Sequence, residues 1–153
     1  MKQITTFKNA LSLVVALTLF SSFSYAGNIH ASKPKFKTSF QHDFKHASLI
    51  GTEVHDNIIR VTFSMDNTIR WAYYSVDGRL LGVVHNILST QLPDDLQEGI
   101  KEQYGNYWIT ELFQVSKDGD SCYYVSLQNA DETVNLRSTP DQGWEVYSIV
   151  KKG

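Results

Sequence analysis

Two histidines have the spacing of a possible metal site. His42 and His46 lie four positions apart with Asp43 between them, so one helix face would present both imidazoles. A metal-dependent hydrolase of this pattern needs a glutamate base directly after the first histidine and a third ligand, and the sequence offers neither. Both histidines fall well away from a neighbouring phenylalanine stripe, where solvated residues belong. We therefore expect no metal and no cofactor, and we rank a metal-dependent hydrolase below two non-enzymatic functions that the rest of the sequence favours.

The other reactive side chains do not form a catalytic set. Asp94 and Asp95 suit a helix start, and Asp131 and Glu132 suit a turn, so capping and solvation account for both pairs. Cys122 is the single cysteine and cannot close an internal disulfide. We interpret it as a small strand side chain, with pairing between chains and nucleophilic chemistry as alternatives. These features predict a protein that is not an enzyme.

Aromatic residues give the remaining functional signal. Exposed Trp and Tyr side chains are favoured at binding surfaces because they bury much area with few rotatable bonds. Aromatic residues also favour strands and stack across them, so ordinary packing is the alternative. The candidate partner-binding residues are Trp71, Tyr73, Trp108, Tyr124 and Tyr147.

Turn signals at short intervals indicate the elements that position these residues. Asp-Asn and Asp-Gly pairs, such as Asp77-Gly78, separate runs rich in β-branched and aromatic residues, as in an antiparallel meander. Strand 68–76 is ambiguous because both of its faces are apolar. Several residues later in the chain share one strand parity and are expected on one face: Tyr107, Ile109, Phe113 and Val115.

Two segments have helical spacing instead. Phe36, Phe40 and Phe44 recur every four residues and predict a helix near 37–47. A second helix is indicated by Leu96, Ile100 and Tyr104, with Pro93 suited to its first turn and Gly105 to its C-terminal cap. The order helix, strands, helix, strands makes an internal duplication possible.

Packing both helices on one sheet face assigns the other face to several aromatics. If the pairs Val61/Phe63, Tyr123/Val125 and Trp144/Val146 face the helices, Tyr124 and Tyr147 face away. Trp108 likewise opposes Tyr107 and Ile109. This second face would be left to solvent or to a partner.

The first 26 residues have the pattern of a cleaved secretory signal. Lys2 and Lys8 precede an apolar run over 11–23, and Ser24 and Ala26 supply small residues before the expected cut. We expect a signal peptide over 1–26, a flexible lead-in over 27–37 and one domain over 38–153. The protein is then exported to the periplasm or the medium and does not span a membrane after processing.

Charge excludes some partner classes. The whole chain has 14 basic and 16 acidic residues, and loss of Lys2 and Lys8 would leave a formal charge of −4. Because the sequence has no basic stripe, we expect no nucleic-acid partner. Composition does not set the oligomeric state.

Over about residues 38–151, short motifs follow one another in an order that resembles a known family. The motifs are Val61-x-Phe63-Ser64, Ala72-Tyr73-Tyr74-x-x-Asp77-Gly78-x-Leu80-Leu81, Leu92-Pro93, Tyr123-Tyr124-Val125-x-Leu127 and Gly143-Trp144-x-Val146-Tyr147. The chain resembles the β-lactamase-inhibitor-like, PepSY-like family of small exported bacterial proteins. The resemblance implies an α+β fold, with an antiparallel sheet and two helices packed on one face, and no catalytic residue. The family often has a tryptophan where this chain has Ile50-Gly51-Thr52.

Together these observations predict an exported, non-enzymatic binding or inhibitor-like module. Its aromatic sheet face would recognise an extracytoplasmic protein or peptide. The alternative is a structural or envelope-maintenance protein without a specific ligand.

Overall fold

Two helices and eight strands follow one another along the described chain. The computed structural model describes residues 35–139 and 143–153, so the predicted signal peptide and most of the predicted lead-in lie outside it. The helices and strands are α1 (Lys35–Asp43), β1 (Ser48–His55), β2 (Ile58–Met65), β3 (Thr68–Ser75), β4 (Leu80–Asn86), α2 (Asp94–Gln103), β5 (Trp108–Lys117), β6 (Asp120–Gln128), β7 (Glu132–Thr139) and β8 (Gly143–Lys151), with a short 3-10 turn over Ser89–Gln91 before α2. The strands are ordered as in the chain, and the pairs β1–β2, β2–β3, β5–β6, β6–β7 and β7–β8 are antiparallel. The α+β class with antiparallel strands is therefore confirmed.

The chain forms two compact units, with the boundary between Val83 and Val84. Each unit contains one helix that packs on its own strands. The order helix, strands, helix, strands agrees with the prediction, whereas an internal duplication stays a prediction.

Hairpin turns form where the Asp-Asn and Asp-Gly pairs predict them. Asp56, Asp66 and Asp118 have positive φ angles of 50°, 53° and 53°. Short polar residues and glycine tolerate this left-handed region, which two-residue hairpin loops require. The turn chemistry therefore fixes where each strand ends.

In the first unit, α1 covers one face of β2 and β3 with its phenylalanine stripe. Phe36 and Phe40 are buried, and the Phe40 ring lies 5.3 Å from that of Phe63. The helix is shorter than the predicted 37–47 and includes Lys35 and Lys37 of the predicted lead-in. It ends at Asp43 because the chain turns immediately into β1, and Phe44 still packs against Phe63 at 4.7 Å.

Strand pairing resolves the ambiguous strand 68–76. Ala72 lies opposite Val61, and Tyr74 lies opposite Ile59, so both join the core under α1. Successive strand residues point to opposite faces, so Trp71 and Tyr73 point away from α1.

In the second unit, α2 packs on the strands through Leu96. Asp94 and Asp95 occupy its first turn, where the helix dipole favours negative charge. The Trp144 indole Nε1 donates a 2.8 Å hydrogen bond to the Leu96 carbonyl, which ties β8 to the helix. The predicted stripe is confirmed, with Leu96 buried and Ile100 and Tyr104 packed against the same core. The strand residues of this core are Leu112, Val125, Leu127, Val134 and Leu136.

A bulge in β5 corrects the predicted parity of four residues. Ile109 pairs with Leu127, but Glu111 pairs with Ser126, so β5 has one extra residue at this point. A one-residue shift moves all later side chains to the opposite face. Phe113 and Val115 therefore lie on the face away from α2, whereas Ile109 lies on the α2 side.

Among the described residues, no helix combines the length and the apolar character needed to cross a membrane.

Candidate binding face of the second unit

The face of β5–β8 away from α2 carries a row of side chains in register across four strands. The row consists of Phe113, Tyr124, Arg137 and Glu145, and we call it the Tyr124 row. The Phe113 and Tyr124 rings are stacked at 5.3 Å with an angle of 11°. Arg137 Nη2 donates a 2.6 Å hydrogen bond to Glu145 Oε2. The row thus passes from an aromatic stack to an ion pair.

Tyr147 joins this row through a second bulge. Asn135 pairs with Ser148, but Leu136 pairs with Val146, so Tyr147 is the extra residue of β8. Its ring meets the Tyr124 ring edge-on, with centroids 6.5 Å apart. Two of the predicted binding residues are therefore in contact, and the bulge aims Tyr147 at the Tyr124 row.

Tyr124 itself is buried, with 4% of its surface exposed. Within the described part of the chain, its hydroxyl oxygen has no hydrogen-bond partner. Burial raises the pKa of this hydroxyl well above its usual value. The nearby Cys122 thiol raises that pKa further, and the Arg137 guanidinium lowers it. The hydroxyl therefore stays protonated at neutral pH and is available as a donor.

A polar ladder lies beside the Tyr124 row. Ser126 Oγ donates to Asn135 Oδ1 at 2.7 Å, and Asn135 Nδ2 donates to Ser148 Oγ at 2.9 Å. These bonds hold the three side chains across β6, β7 and β8. The face thus combines aromatic surface with ordered polar groups.

Trp108 begins β5 on the same face and is 55% exposed. It pairs with Gln128, which fixes its side away from α2. Lys152 Nζ lies 5.8 Å from the centre of its ring, within cation–π range, and also donates to the Asn129 carbonyl at 2.6 Å. Of the five predicted binding residues, Trp108 presents the most exposed aromatic surface.

The other two predicted binding residues belong to the first unit. Trp71 is half-buried, and Tyr73 is 1% exposed. Tyr73 lies in register with Arg60 and Glu53, and Arg60 Nη2 donates to Glu53 Oε2 at 2.5 Å. Burial raises the pKa of Tyr73 to about 12, an effect that the Arg60 guanidinium reduces. Tyr73 is thus part of a packed Glu–Arg–Tyr row.

The sequence analysis missed Phe113, Arg137 and Glu145. Parity alone placed Phe113 on the α2 side, because a bulge leaves no unique mark in the sequence. Arg137 and Glu145 are eight residues apart, and only the β7–β8 register brings them together. The strand alternation that placed Tyr124 on the face away from α2 was the sequence signal from which this row could have been found.

His42 and His46, the two histidines with metal-ligand spacing, lie near the C-terminal end of α1 and are both exposed. The His42 side chain is 83% exposed, and its Nδ1 lies 3.1 Å from Asp43 Oδ1. Asp43 Oδ2 accepts a 3.0 Å hydrogen bond from the Tyr74 hydroxyl, which links the end of α1 to β3. His46 is exposed. No cluster of three metal-ligating side chains is found over 35–139 and 143–153.

Cys122 is buried beside Tyr124 on the face away from α2. Burial raises the pKa of its thiol. The thiolate is the reactive form of cysteine, so this environment disfavours nucleophilic chemistry. The position agrees with a small strand side chain.

Solved structures with the same fold are BLIP-like and DUF2874-family proteins. A BLIP-like protein from Bacteroides fragilis superposes with a TM-score of 0.70 at 14% identity, covering 83% of this chain and 92% of that one. A DUF2874-family protein from Bacteroides ovatus gives 0.67 at 14% identity, covering 80% and 89%. A candidate periplasmic protein from Bacteroides eggerthii gives 0.68 at 8% identity, covering 80% and 90%.

These likenesses define the class of fold. The β-lactamase-inhibitor-like resemblance is confirmed as a BLIP-like fold, and its PepSY-like part stays a prediction. No protein-family model and no curated protein matches the chain.

Proposed function

We propose that this chain is an exported, non-enzymatic module that binds a protein or peptide through the face of β5–β8 away from α2. The observation that carries the proposal is Trp108, which is 55% exposed on that face. Tyr147 and Arg137 lie on the same face, and Trp, Tyr and Arg are the residue types that dominate binding energy at protein interfaces.

The ordering of this face supports the proposal. Tyr147 is packed against Tyr124, and hydrogen bonds hold the side chains of Ser126, Asn135 and Ser148. Side chains that are already ordered lose little entropy when a partner binds. The face therefore has the preorganisation expected of a binding surface.

Export and the absence of catalysis rest on separate grounds. The predicted signal over 1–26 and the fold shared with a candidate periplasmic protein support export. The buried Cys122 and the exposed His42 give no support for a nucleophile or a metal centre. The BLIP-like neighbour supports an inhibitor-like role.

A structural role in the envelope is the second candidate. Its supporting observation is the burial of Tyr73 and Tyr124, which have 1% and 4% of their surfaces exposed. Aromatic side chains in such positions stabilise strands by cross-strand packing. In this role the chain would have no specific ligand.

Capture from an envelope extract distinguishes the two functions. We expect immobilised wild-type protein to retain a partner that Trp108→Ala and Tyr147→Ala variants lose, with affinity reduced by about 2 kcal/mol or more. Leu88→Ala is the matched control, since Leu88 is 69% exposed but lies outside β5–β8. Capture of no partner by the folded wild-type protein would favour the structural role, and equal capture by all folded variants would show that this face does not bind the partner.

A further inference from the structure

The Tyr124 hydroxyl is a buried donor that the described chain leaves without a hydrogen-bond partner. Buried polar groups are satisfied in the great majority of cases, so each exception calls for an explanation. Arg137 and Cys122 are its polar neighbours. A charged acceptor brought beside Arg137 could also accept from this hydroxyl.

Arg137 has donor capacity beyond its present contact. A guanidinium has five N–H donors in a planar fork that matches the two oxygens of a carboxylate. Its hydrogen bond to Glu145 uses Nη2 alone. The Glu145 side chain is 54% exposed, whereas that of Arg137 is 20% exposed. Glu145 can therefore leave towards solvent while Arg137 stays in the row.

The first unit contains the same three residue types in the same cross-strand arrangement. Glu53 pairs with Arg60, and Arg60 pairs with Tyr73. The Arg60 guanidinium opposes the rise of the Tyr73 pKa, as the Arg137 guanidinium does for Tyr124. The rows differ in that the Tyr124 hydroxyl lacks a hydrogen-bond partner within the described residues, whereas Tyr73 is not without a partner. We therefore call the first row closed, and it provides a control within the same molecule.

We propose that Tyr124 and Arg137 form a carboxylate site that receives an acidic side chain of the partner protein. One carboxylate oxygen accepts from the Arg137 guanidinium, and the other accepts from the Tyr124 hydroxyl. In the free protein the Arg137 guanidinium donates to Glu145, and the carboxylate of the partner displaces Glu145 on binding. This inference rests on the proposed function, because it specifies the chemistry of the partner at that face.

The group that now accepts a hydrogen bond from Arg137 is a side-chain carboxylate, which indicates that the ligand is also a side chain. Glu145 presents a carboxylate from the neighbouring strand β8. A glutamate on a partner presents the same group and gains a second donor in Tyr124. Because exposed ion pairs are weak, the exchange needs little free energy.

The site is tested by titrating three short peptides into the intact protein and following its NMR signals. The probes are N-acetyl-Gly-Glu-Gly-amide, its Gln counterpart, and N-acetyl-Gly-Gly-Gly with a free C-terminal carboxylate. We expect saturable shifts at the Arg137 Nε–H signal with the Glu peptide and none with the Gln peptide. Equal shifts with Glu and Gln peptides, or tighter binding of the free-carboxylate peptide, would overturn the proposal.

Matched variants locate the effect. Glu145→Gln removes the competing carboxylate and should raise affinity for the Glu peptide about three- to fivefold, as expected from the weak ion pair. Glu53→Gln makes the same change in the closed row and should leave that affinity unchanged. Tyr124→Phe, which keeps the ring, should lower it at least about threefold, as loss of one hydrogen bond would. Equal effects of Glu145→Gln and Glu53→Gln, or full affinity in Tyr124→Phe, would refute the site.

The two proposals fail separately. If the Glu peptide does not bind while Trp108→Ala still loses the captured partner, the carboxylate site is wrong and the binding function stands. If the Glu peptide binds while Trp108→Ala and Tyr147→Ala retain the partner, Tyr124 and Arg137 do bind a carboxylate, but the proposed function is wrong and with it the assignment of that carboxylate to the captured partner.

Discussion

At the residue scale, two buried tyrosines differ in how their hydroxyls are satisfied. The Tyr74 hydroxyl donates to Asp43 at 3.0 Å, whereas the Tyr124 hydroxyl has no partner in the described chain. Both rings are almost fully buried. The pair therefore separates the contribution of a hydrogen bond from that of ring packing.

Removing the two hydroxyls should have opposite consequences. Tyr74→Phe loses a hydrogen bond to a carboxylate and should lower the free energy of unfolding by about 1.5–3 kcal/mol. Tyr124→Phe removes a buried donor without a partner and should be neutral or stabilising. Urea denaturation of both variants measures the difference. An equal loss in both would show that the Tyr124 hydroxyl is satisfied in solution.

At the element scale, two hairpins share one turn chemistry but differ in their surroundings. Gly78 and Gly119 both follow an aspartate and have φ angles of 86° and 90°. A Cβ at Gly78 would lie 3.1 Å from Lys35 and Ser39 atoms of α1, whereas one at Gly119 would meet nothing within 4 Å. The β3–β4 turn therefore packs under α1, and the β5–β6 turn is open.

Alanine at these two glycines should separate backbone strain from crowding. Each substitution places a Cβ in the left-handed region, at a cost of about 1–2 kcal/mol. Gly78→Ala should cost more than Gly119→Ala, because α1 must also shift by a few tenths of an ångström. Thermal melts of the two variants provide the comparison. Equal destabilisation would mean that α1 yields freely at this contact.

At the scale of the whole molecule, buried tyrosines connect stability to alkaline pH. Burial raises the pKa of Tyr73 to about 12 and also raises the pKa values of Tyr74 and Tyr124. In the unfolded chain these groups ionise near pH 10. The folded state then binds more protons than the unfolded state, so stability falls as the pH rises above about 10.

The wild-type free energy of unfolding should therefore decrease between about pH 10 and pH 12, with Tyr73 contributing about 2–3 kcal/mol to the decrease. Tyr73→Phe removes one titrating group and should make the decrease shallower. Urea denaturation across this pH range gives both slopes. A wild-type slope retained in Tyr73→Phe would show that this residue ionises normally in the folded protein.

The sequence by itself determined the elements of this protein. Apolar spacing located the helices that contain Phe40 and Leu96, and Asp-Gly and Asp-Asn pairs located the hairpin turns. These features depend on interactions between residues close in the chain, so periodicity and turn chemistry determine them. The parity of Tyr124 also followed from its own strand.

Only the tertiary structure decided which side chains meet. The bulges beside Ile109 and Tyr147 set the faces of β5 and β8, and strand register joined Arg137 to Glu145. The burial of Tyr124 likewise depends on groups from several strands. Contacts of this kind join residues far apart in the chain, and a shift of one position changes them all, so local sequence patterns do not specify them.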